Sequence, residues 1–365
     1  MRLSQEPGSA SLYFHQYAYT AGGRKVLITT PHGLATINLQ SGEIEPLVGD
    51  GAKPVMAGRR TGQVYYTQGE AVYVIDPATH ATREIAKLPP HGNVHTVNAD
   101  ETLLAGTYEE PQKAEAPPLE DAPPGSRKAR AESLRERFAA HIPMGMFTLN
   151  VQTGEIKTIL RSTDWLNHLQ FSPADPGLLM FCHEGPWEKV DRIWLIRSDG
   201  SGLTKVHERT MTMEIAGHEF WSGDGKTIWY DLQTPRSEDF WVAGYEVATG
   251  HRVRYHLERD EWSVHFNVSP DGSLFAGDGG DKGMVAHASG GKWIYLFHPQ
   301  LIPNSGLDKP ELIQSGKFTA ERLVNMANHD YTLEPNVTFT PDMKWLVFRS
   351  NMEGQTGVYA VEIKK

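Results

Sequence analysis

A short turn recurs along this chain, and it constrains the fold more than any other feature. Good copies are Ser172-Pro173-Ala174-Asp175, Ser222-Gly223-Asp224-Gly225, Ser269-Pro270-Asp271-Gly272 and Thr340-Pro341-Asp342-Met343. Degenerate copies are Thr20-Ala21-Gly22-Gly23 and Asn98-Ala99-Asp100-Glu101. Proline presets φ, aspartate caps the turn with its side chain, and glycine takes positive φ. A second signal alternates with the first: Gln40-Ser41-Gly42-Glu43, Pro77-Ala78-Thr79-His80, Gln152-Thr153-Gly154-Glu155, Ser198-Asp199-Gly200-Ser201 and Ala248-Thr249-Gly250-His251. Between them lie β-rich runs such as Thr227-Ile228-Trp229-Tyr230 and Trp345-Leu346-Val347-Phe348. The signals divide the chain into about seven units of roughly 35 to 55 residues, the size of propeller blades. Their starts fall near Ser11, Lys53, Asn93, Asp164, Glu214, Trp262 and Asn328. The spacing predicts an all-β fold, a seven-bladed β-propeller that takes up residues 1–365 as a single domain.

One segment interrupts the period. Glu109 to Pro143 carries Pro117-Pro118 and Pro123-Pro124-Gly125, then an Arg/Glu-rich run in which Ala131, Leu134 and Phe138 share one side. Ser126 is placed to cap a helix there. This predicts a helical insertion in the third blade, about 109–143, either a plain surface excursion or a lid over the axial pocket. A second, shorter insertion is expected at Pro299 to Ala320, in the sixth blade.

Composition removes several functions. The net charge of −10 argues against nucleic acid as a partner, and means that an acidic ligand must be held by a local basic site. The single cysteine, Cys182, excludes an internal disulfide and a cysteine zinc cluster. No run approaches the roughly 20 apolar residues of a membrane span, so no membrane partner is expected. Met1 to Ala10 has no apolar core and predicts no signal peptide, which leaves a cytoplasmic or a periplasmic protein. The residues say nothing of the oligomeric state.

In a propeller the innermost strand of each blade lines the axis, and here that strand should precede the Ser-Pro-Asp-Gly turn. Polar residues at its start should meet at one end although they are far apart in sequence. The candidates are His15, His95, His168, His218, His265 and the group His329 to Asn336. There is no Gly-x-Ser-x-Gly elbow, P-loop, dinucleotide fingerprint or His-Glu-x-x-His. What remains is an axial site of imidazoles, carboxylates and arginines such as Arg192 and Arg197. Imidazole suits a general base, and with oxygen donors it suits Mn²⁺, Mg²⁺ or Ca²⁺. Arginine suits a carboxylate ligand. These parts fit removal of the proton beside the carboxylate of a uronic acid, with loss of the C4 oxygen. The bland alternative is that the histidines satisfy hydrogen bonds in a packed channel.

The strings Phe181-Cys182-His183-Glu184-Gly185-Pro186-Trp187, Val190-Asp191-Arg192-Ile193-Trp194 and Gly217-His218-Glu219-Phe220-Trp221 resemble the oligogalacturonate lyase family. Ser269-Pro270-Asp271-Gly272 with Gly277-Asp278-Gly279 adds to the likeness, which runs from about Ser11 to the end. The resemblance implies a seven-bladed propeller that cleaves short pectin fragments by β-elimination with Mn²⁺. Carried over by motif, His218 is the expected base, Arg192 the essential substrate arginine and His265 a metal ligand. His168, His183, Arg197, His329 and Tyr331 are expected to bind substrate. The last blade departs from the family's Gln-x-x-His-x-His, having Tyr331-Thr332-Leu333-Glu334-Pro335-Asn336 instead. Glu334 and Asn336 then stand where two histidine ligands would, so the expected metal site is His265, Glu334 and Asn336, with Ca²⁺ or Mg²⁺ as alternatives to Mn²⁺. Two other readings stay open: a lyase or epimerase on another acidic glycan, and a non-catalytic propeller of the TolB type that binds sugar or protein.

Overall fold

The turns that punctuate the sequence close as their chemistry requires. In a computed structural model of the chain, the Ser222 hydroxyl donates to Asp224 Oδ1 at 2.7 Å and accepts from the Thr227 N–H at 3.0 Å. Ser269 repeats both bonds with Asp271 at 2.7 Å and Leu274 at 2.9 Å. Thr340 does so with Asp342 at 2.7 Å and Trp345 at 3.1 Å. Each turn therefore reverses the chain and starts the next strand in register. Gly225 has φ +68°, and a Cβ there would also lie 2.8 Å from Ser172 Oγ, so neighbouring turns touch.

The structure describes residues 1–110, 127–282, 284, 290–306, 309 and 311–363, with backbone alone at 21 and 127–131. The described strands form five separate sheets of three or four strands and one of eight. The first four sheets are antiparallel meanders that begin at Ala10–Ser11, Ala52–Ala57, Asn93–Val97 and Trp165–Phe171. The eight-stranded sheet holds two further meanders, begun by Ile215–Trp221 and Phe266–Val268. The last comprises Thr338–Phe339, Trp345–Ser350 and Gly357–Glu362. The amino terminus lies along that sheet's edge: the Leu3 N–H donates to Val358 O at 2.7 Å, and the Ala360 N–H to Met1 O at 2.8 Å. The two ends of the chain thus close an all-β, propeller-like ring. Among the described residues no helix is long and apolar enough to cross a membrane.

The core is a set of apolar layers between successive sheets rather than one centre. Met180, Ile193 and Leu195 of the fourth sheet meet Ala216, Ile228, Tyr230 and Leu232 of the next. Period-two alternation supplies such faces, and each fully buried Leu, Ile or Phe stabilises the fold by about 1.5–3 kcal/mol.

Six sheets, not seven separate ones, is the first difference from expectation. Its cause is the twelve-residue strand Gln314–Asn325, which pairs with its own hairpin partner and also, in parallel, with Arg252–Leu257. The shorter insertion foreseen at Pro299 to Ala320 is entered from both ends by the hairpin strands Trp293–Leu301 and Gln314–Asn325. In the longer interruption a helix, Arg127–Ala140, lies between the paired strands Leu103–Glu109 and Met144–Asn150. Its capping by Ser126, and the side chain of Ala131, lie outside the described residues. Arg137 bonds Glu109 and lies 4.4 Å from the Trp165 ring centre, and Phe138 packs against Gly185.

Candidate active site

His168 and His218 occupy the same place in consecutive sheets, and the backbone treats them alike. Each lies in a β-bulge, where the register slips between Asn167 and Gln170 and between Gly217 and Phe220. Each has positive φ, +47° and +46°. A bulge re-aims a side chain that regular alternation would send into a sheet face. Gly217 before it admits the Trp187 ring, from which a Cβ would be 2.6 Å away.

The aimed imidazoles converge. The His218 ring centre lies 4.6 Å from His265 and 4.9 Å from Trp187. Tyr13 and Phe14 fill the space between sheets: Phe14 is 4.6 Å from His265 and 6.2 Å from His218, and Tyr13 is 5.2 Å from His265 and 5.8 Å from His168. His15 lies 6.0 Å from His168. Of the candidates expected to gather, His15, His168, His218 and His265 thus lie in one cluster of rings. His95 is turned to Thr107, 3.1 Å away. Burial drives the pKa of His15 well below the usual histidine value and that of His95 down to about 3, reinforced by neighbouring imidazoles, so both stay neutral.

His218 is set apart by its partner. Its Nδ1 lies 3.4 Å from Asp231 Oδ2, and Asp231 is 2% exposed. Burial works against the imidazolium, but the Asp231 charge and contact outweigh it, and the pKa is raised above the ordinary value. His265 is held more tightly: Asp278 accepts from its backbone N–H at 2.8 Å and pairs with Nδ1 at 2.9 Å. A proton on Nδ1 leaves the Nε2 lone pair free, and Nε2 is buried without a hydrogen-bond partner. Glu334 Oε2 stands 3.8 Å from it, too far for a hydrogen bond. An orphaned imidazole nitrogen facing a carboxylate, with a carboxylate behind the ring, fits a divalent cation.

Asn336, the expected third donor, is engaged within the protein. Its Oδ1 accepts the Phe14 N–H at 3.1 Å and its Nδ2 donates to Glu334 O at 2.9 Å, so the amide braces the corner. Arg192 is near the cluster but already neutralised. Its Nη1 donates to Glu184 at 2.6 Å and its Nε to Glu219 at 3.0 Å, and its side chain is 3% exposed. Burial alone would raise the Glu184 carboxyl, yet Arg192 and His168, 3.3 Å away, pull it far below the carboxylate range.

Four residues expected to bind substrate fall elsewhere. Alternation along Leu178–Glu184 puts His183 on the opposite face from Cys182 and Glu184, against Trp194 at 5.0 Å and 3.7 Å from Asp164. Arg197 ends a strand at the surface, ion-paired with Asp175 at 2.6 Å. His329 is saturated by Ser350 Oγ at 2.9 Å and Leu333 O at 2.7 Å. Tyr331, 1% exposed, donates its hydroxyl to Asp278 O at 2.9 Å. Sequence reasoning missed Tyr13, Phe14, Asp231 and the bracing role of Asp278. The only sign of Asp231 was a lone acid inside the apolar run Thr227–Gln233.

A cavity of about 250 Å³ lies beyond Phe14 and His15, at the turn end of the axis, lined by Arg59, His95, Gln170, Pro173, Pro270 and Pro341 among others. His218, Arg192 and His265 do not border it.

These features define a propeller-like protein whose ionisable side chains gather at the strand-start end of its axis. Residues 131–365 match the family model for oligogalacturonate lyase, and the chain belongs to that family. It is 29% identical over 230 residues to the oligogalacturonide lyase of Pectobacterium atrosepticum, and 28% over 235 residues to the oligogalacturonate lyase of Dickeya dadantii. Each match covers 60% of this chain and 55% of the relative, so the chain spans about half the length of the curated relatives it matches. Among solved structures, an oligogalacturonate lyase in complex with manganese superposes with a TM-score of 0.80 at 23% identity, over 100% of this chain and 93% of the other. One from Vibrio parahaemolyticus gives 0.78 at 23% identity with the same coverage. These two likenesses speak for the fold.

Proposed function

We propose that this chain cleaves oligogalacturonates by β-elimination, and that His218 is the base. The observation behind this is the His218–Asp231 pair, with the His218 ring 4.6 Å from His265 and its unpartnered Nε2. In the proposed step His218 Nε2 takes the C5 proton of a galacturonate unit. The C5–H electron pair becomes the C4=C5 double bond, the C4–O4 bond breaks, and O4 leaves with its sugar and takes up a proton from solvent. Asp231 orients the ring through Nδ1 and stabilises the imidazolium that forms. Arg192, braced by Glu184 and Glu219, lies 5.1 Å from the Trp187 ring centre and holds that indole against His218. His265 and Glu334 are the residues that would hold a divalent ion, Mn²⁺ by analogy with the manganese-bound relative. Such an ion would supply charge to neutralise the uronate carboxylate and so acidify the adjacent C–H. His168 completes the wall on the Glu184 side.

The eight-stranded sheet separates at its parallel pairing into two antiparallel meanders. That supports counting seven blades in one domain, with Arg127–Ala140 as an insertion in the third.

Incubation with digalacturonate and Mn²⁺, followed by the ultraviolet absorbance of the unsaturated product, tests the reading. Absorbance should rise, stop on chelation, and fall at least about 10²-fold in His218→Ala with the fold retained. No rise with any of several divalent ions would refute it.

A further inference from the structure

An acidic oligosaccharide must find positive charge in this hollow, where Arg192 already carries two ion pairs. Its charge is already shared by Glu184 and Glu219, and Asp231, Asp278 and Glu334 add further negative charge nearby. One other guanidinium reaches the same corner. Arg349 lies in the strand Trp345–Ser350, and its backbone N–H donates to Pro335 O at 2.9 Å, which ties it to the segment carrying Glu334 and Asn336. Its Nε donates to Glu334 O at 2.7 Å and its Nη1 to Ser11 O at 3.4 Å. Ser11 is two residues before Tyr13, which packs on His265.

What distinguishes Arg349 is its lack of a counter-ion. It is half-buried, yet among the described residues no carboxylate pairs with it, and its protein partners are main-chain carbonyls. Its Nη2 has no hydrogen-bond partner among the described residues. Partly buried charges are ordinarily paired, because removing them from water is costly. Burial lowers its pKa, and the groups that oppose this are Glu334, Tyr13 and Asp278, the residues around the His265 corner. A planar donor held by two carbonyls, with one nitrogen left over, is preorganised for a carboxylate oxygen.

We infer that Arg349 binds a carboxylate of the substrate and so helps select uronides over neutral sugars. This rests on the uronide reading above and adds a residue to it. The bland alternative is that Arg349 merely joins the amino-terminal segment to the last sheet.

The test measures calorimetric binding of intact trigalacturonate to the His218→Ala protein in Mn²⁺, with and without Arg349→Gln, which keeps a donor for Glu334 O and loses the charge. Affinity should fall about tenfold or more, Arg349→Lys should recover part of it, and a carboxyl-reduced trisaccharide should bind no worse to Arg349→Gln than to its parent. With His218 intact, Arg349→Gln should raise KM while kcat stays within about threefold. Unchanged trigalacturonate affinity in a variant of unaltered Tm, or an equal loss for the neutral sugar, would overturn the assignment. If Arg349→Gln does not fold, Arg349→Lys alone decides: binding within twofold of the parent supports a charge contact, and loss of both sugars alike refutes it. Arg349-dependent binding without turnover would sink the lyase reading and leave this one standing. Turnover with binding indifferent to Arg349 would do the reverse.

Discussion

The two histidines that face each other across the hollow are each backed by an aspartate, Asp231 from the neighbouring strand for His218 and Asp278, just past the end of Phe275–Gly277, for His265. The two pairs differ in grip. Asp278 takes both the backbone and ring N–H groups of His265, which pins it, whereas Asp231 meets His218 at the looser distance of 3.4 Å. On the proposed mechanism His218 must be neutral to act, so its raised pKa predicts that activity falls as pH drops through a midpoint above the ordinary histidine value. Replacing Asp231 leaves burial unopposed. Asp231→Asn should therefore move the acid limb of the kcat/KM profile to lower pH while lowering the plateau about 10- to 100-fold. A pH–rate series on both proteins checks this, and an unmoved limb would separate Asp231 from the base.

At the scale of strands and turns, the same logic of buried partners governs stability. Glu214, at the head of the strand Ile215–Trp221, is 0% exposed and accepts from His207 Nε2 at 2.7 Å and from Thr210 at 2.7 and 2.9 Å. Burial would raise its carboxyl, but these bonds bring it down to about 2. A depressed acid contributes stability that is complete above the unfolded value, about 4.3, and lost as pH falls through the folded one. Glu214→Gln should cost about 2–3 kcal/mol at neutral pH. In thermal melts the Tm gap between variant and wild type should be widest above pH about 5 and close towards pH about 2. Elements were also where reading the residues worked best. The hydroxyl–aspartate turns are local chemistry, so Ser222, Ser269 and Thr340 could be placed without knowing the fold. The bulges at His168 and His218 could not, because nothing local marks where two strands slip.

For the whole molecule, closure of the ring is the property to probe. Met1 to Ser4 add an edge to the last sheet through Leu3 N–H to Val358 O at 2.7 Å, Ala360 N–H to Met1 O at 2.8 Å and Val358 N–H to Ser4 Oγ at 2.9 Å, and Leu3 is 5% exposed. Removing residues 1–4 should cost about 3–5 kcal/mol from these bonds and the leucine. The loss should appear as a lower urea midpoint with little change in the strand signal by circular dichroism. An unchanged midpoint would mean that the ring is held closed without that edge.

His183, Arg197 and His329 show the limit of arguing from residue type and motif. His183 points to the other face of its strand, Arg197 sits at a strand end at the surface, and His329 is saturated by its neighbours. The residues by themselves determined the all-β repeat, the turn chemistry and the aligned histidines, because those depend on neighbours a few positions away. Tertiary structure alone decided that Asp231 backs His218, that Arg192 is neutralised while Arg349 is not, and that Tyr13 and Phe14 enter the site. Those are contacts between segments up to 338 residues apart, as between Arg349 and Ser11, and such contacts exist only once the ring has closed.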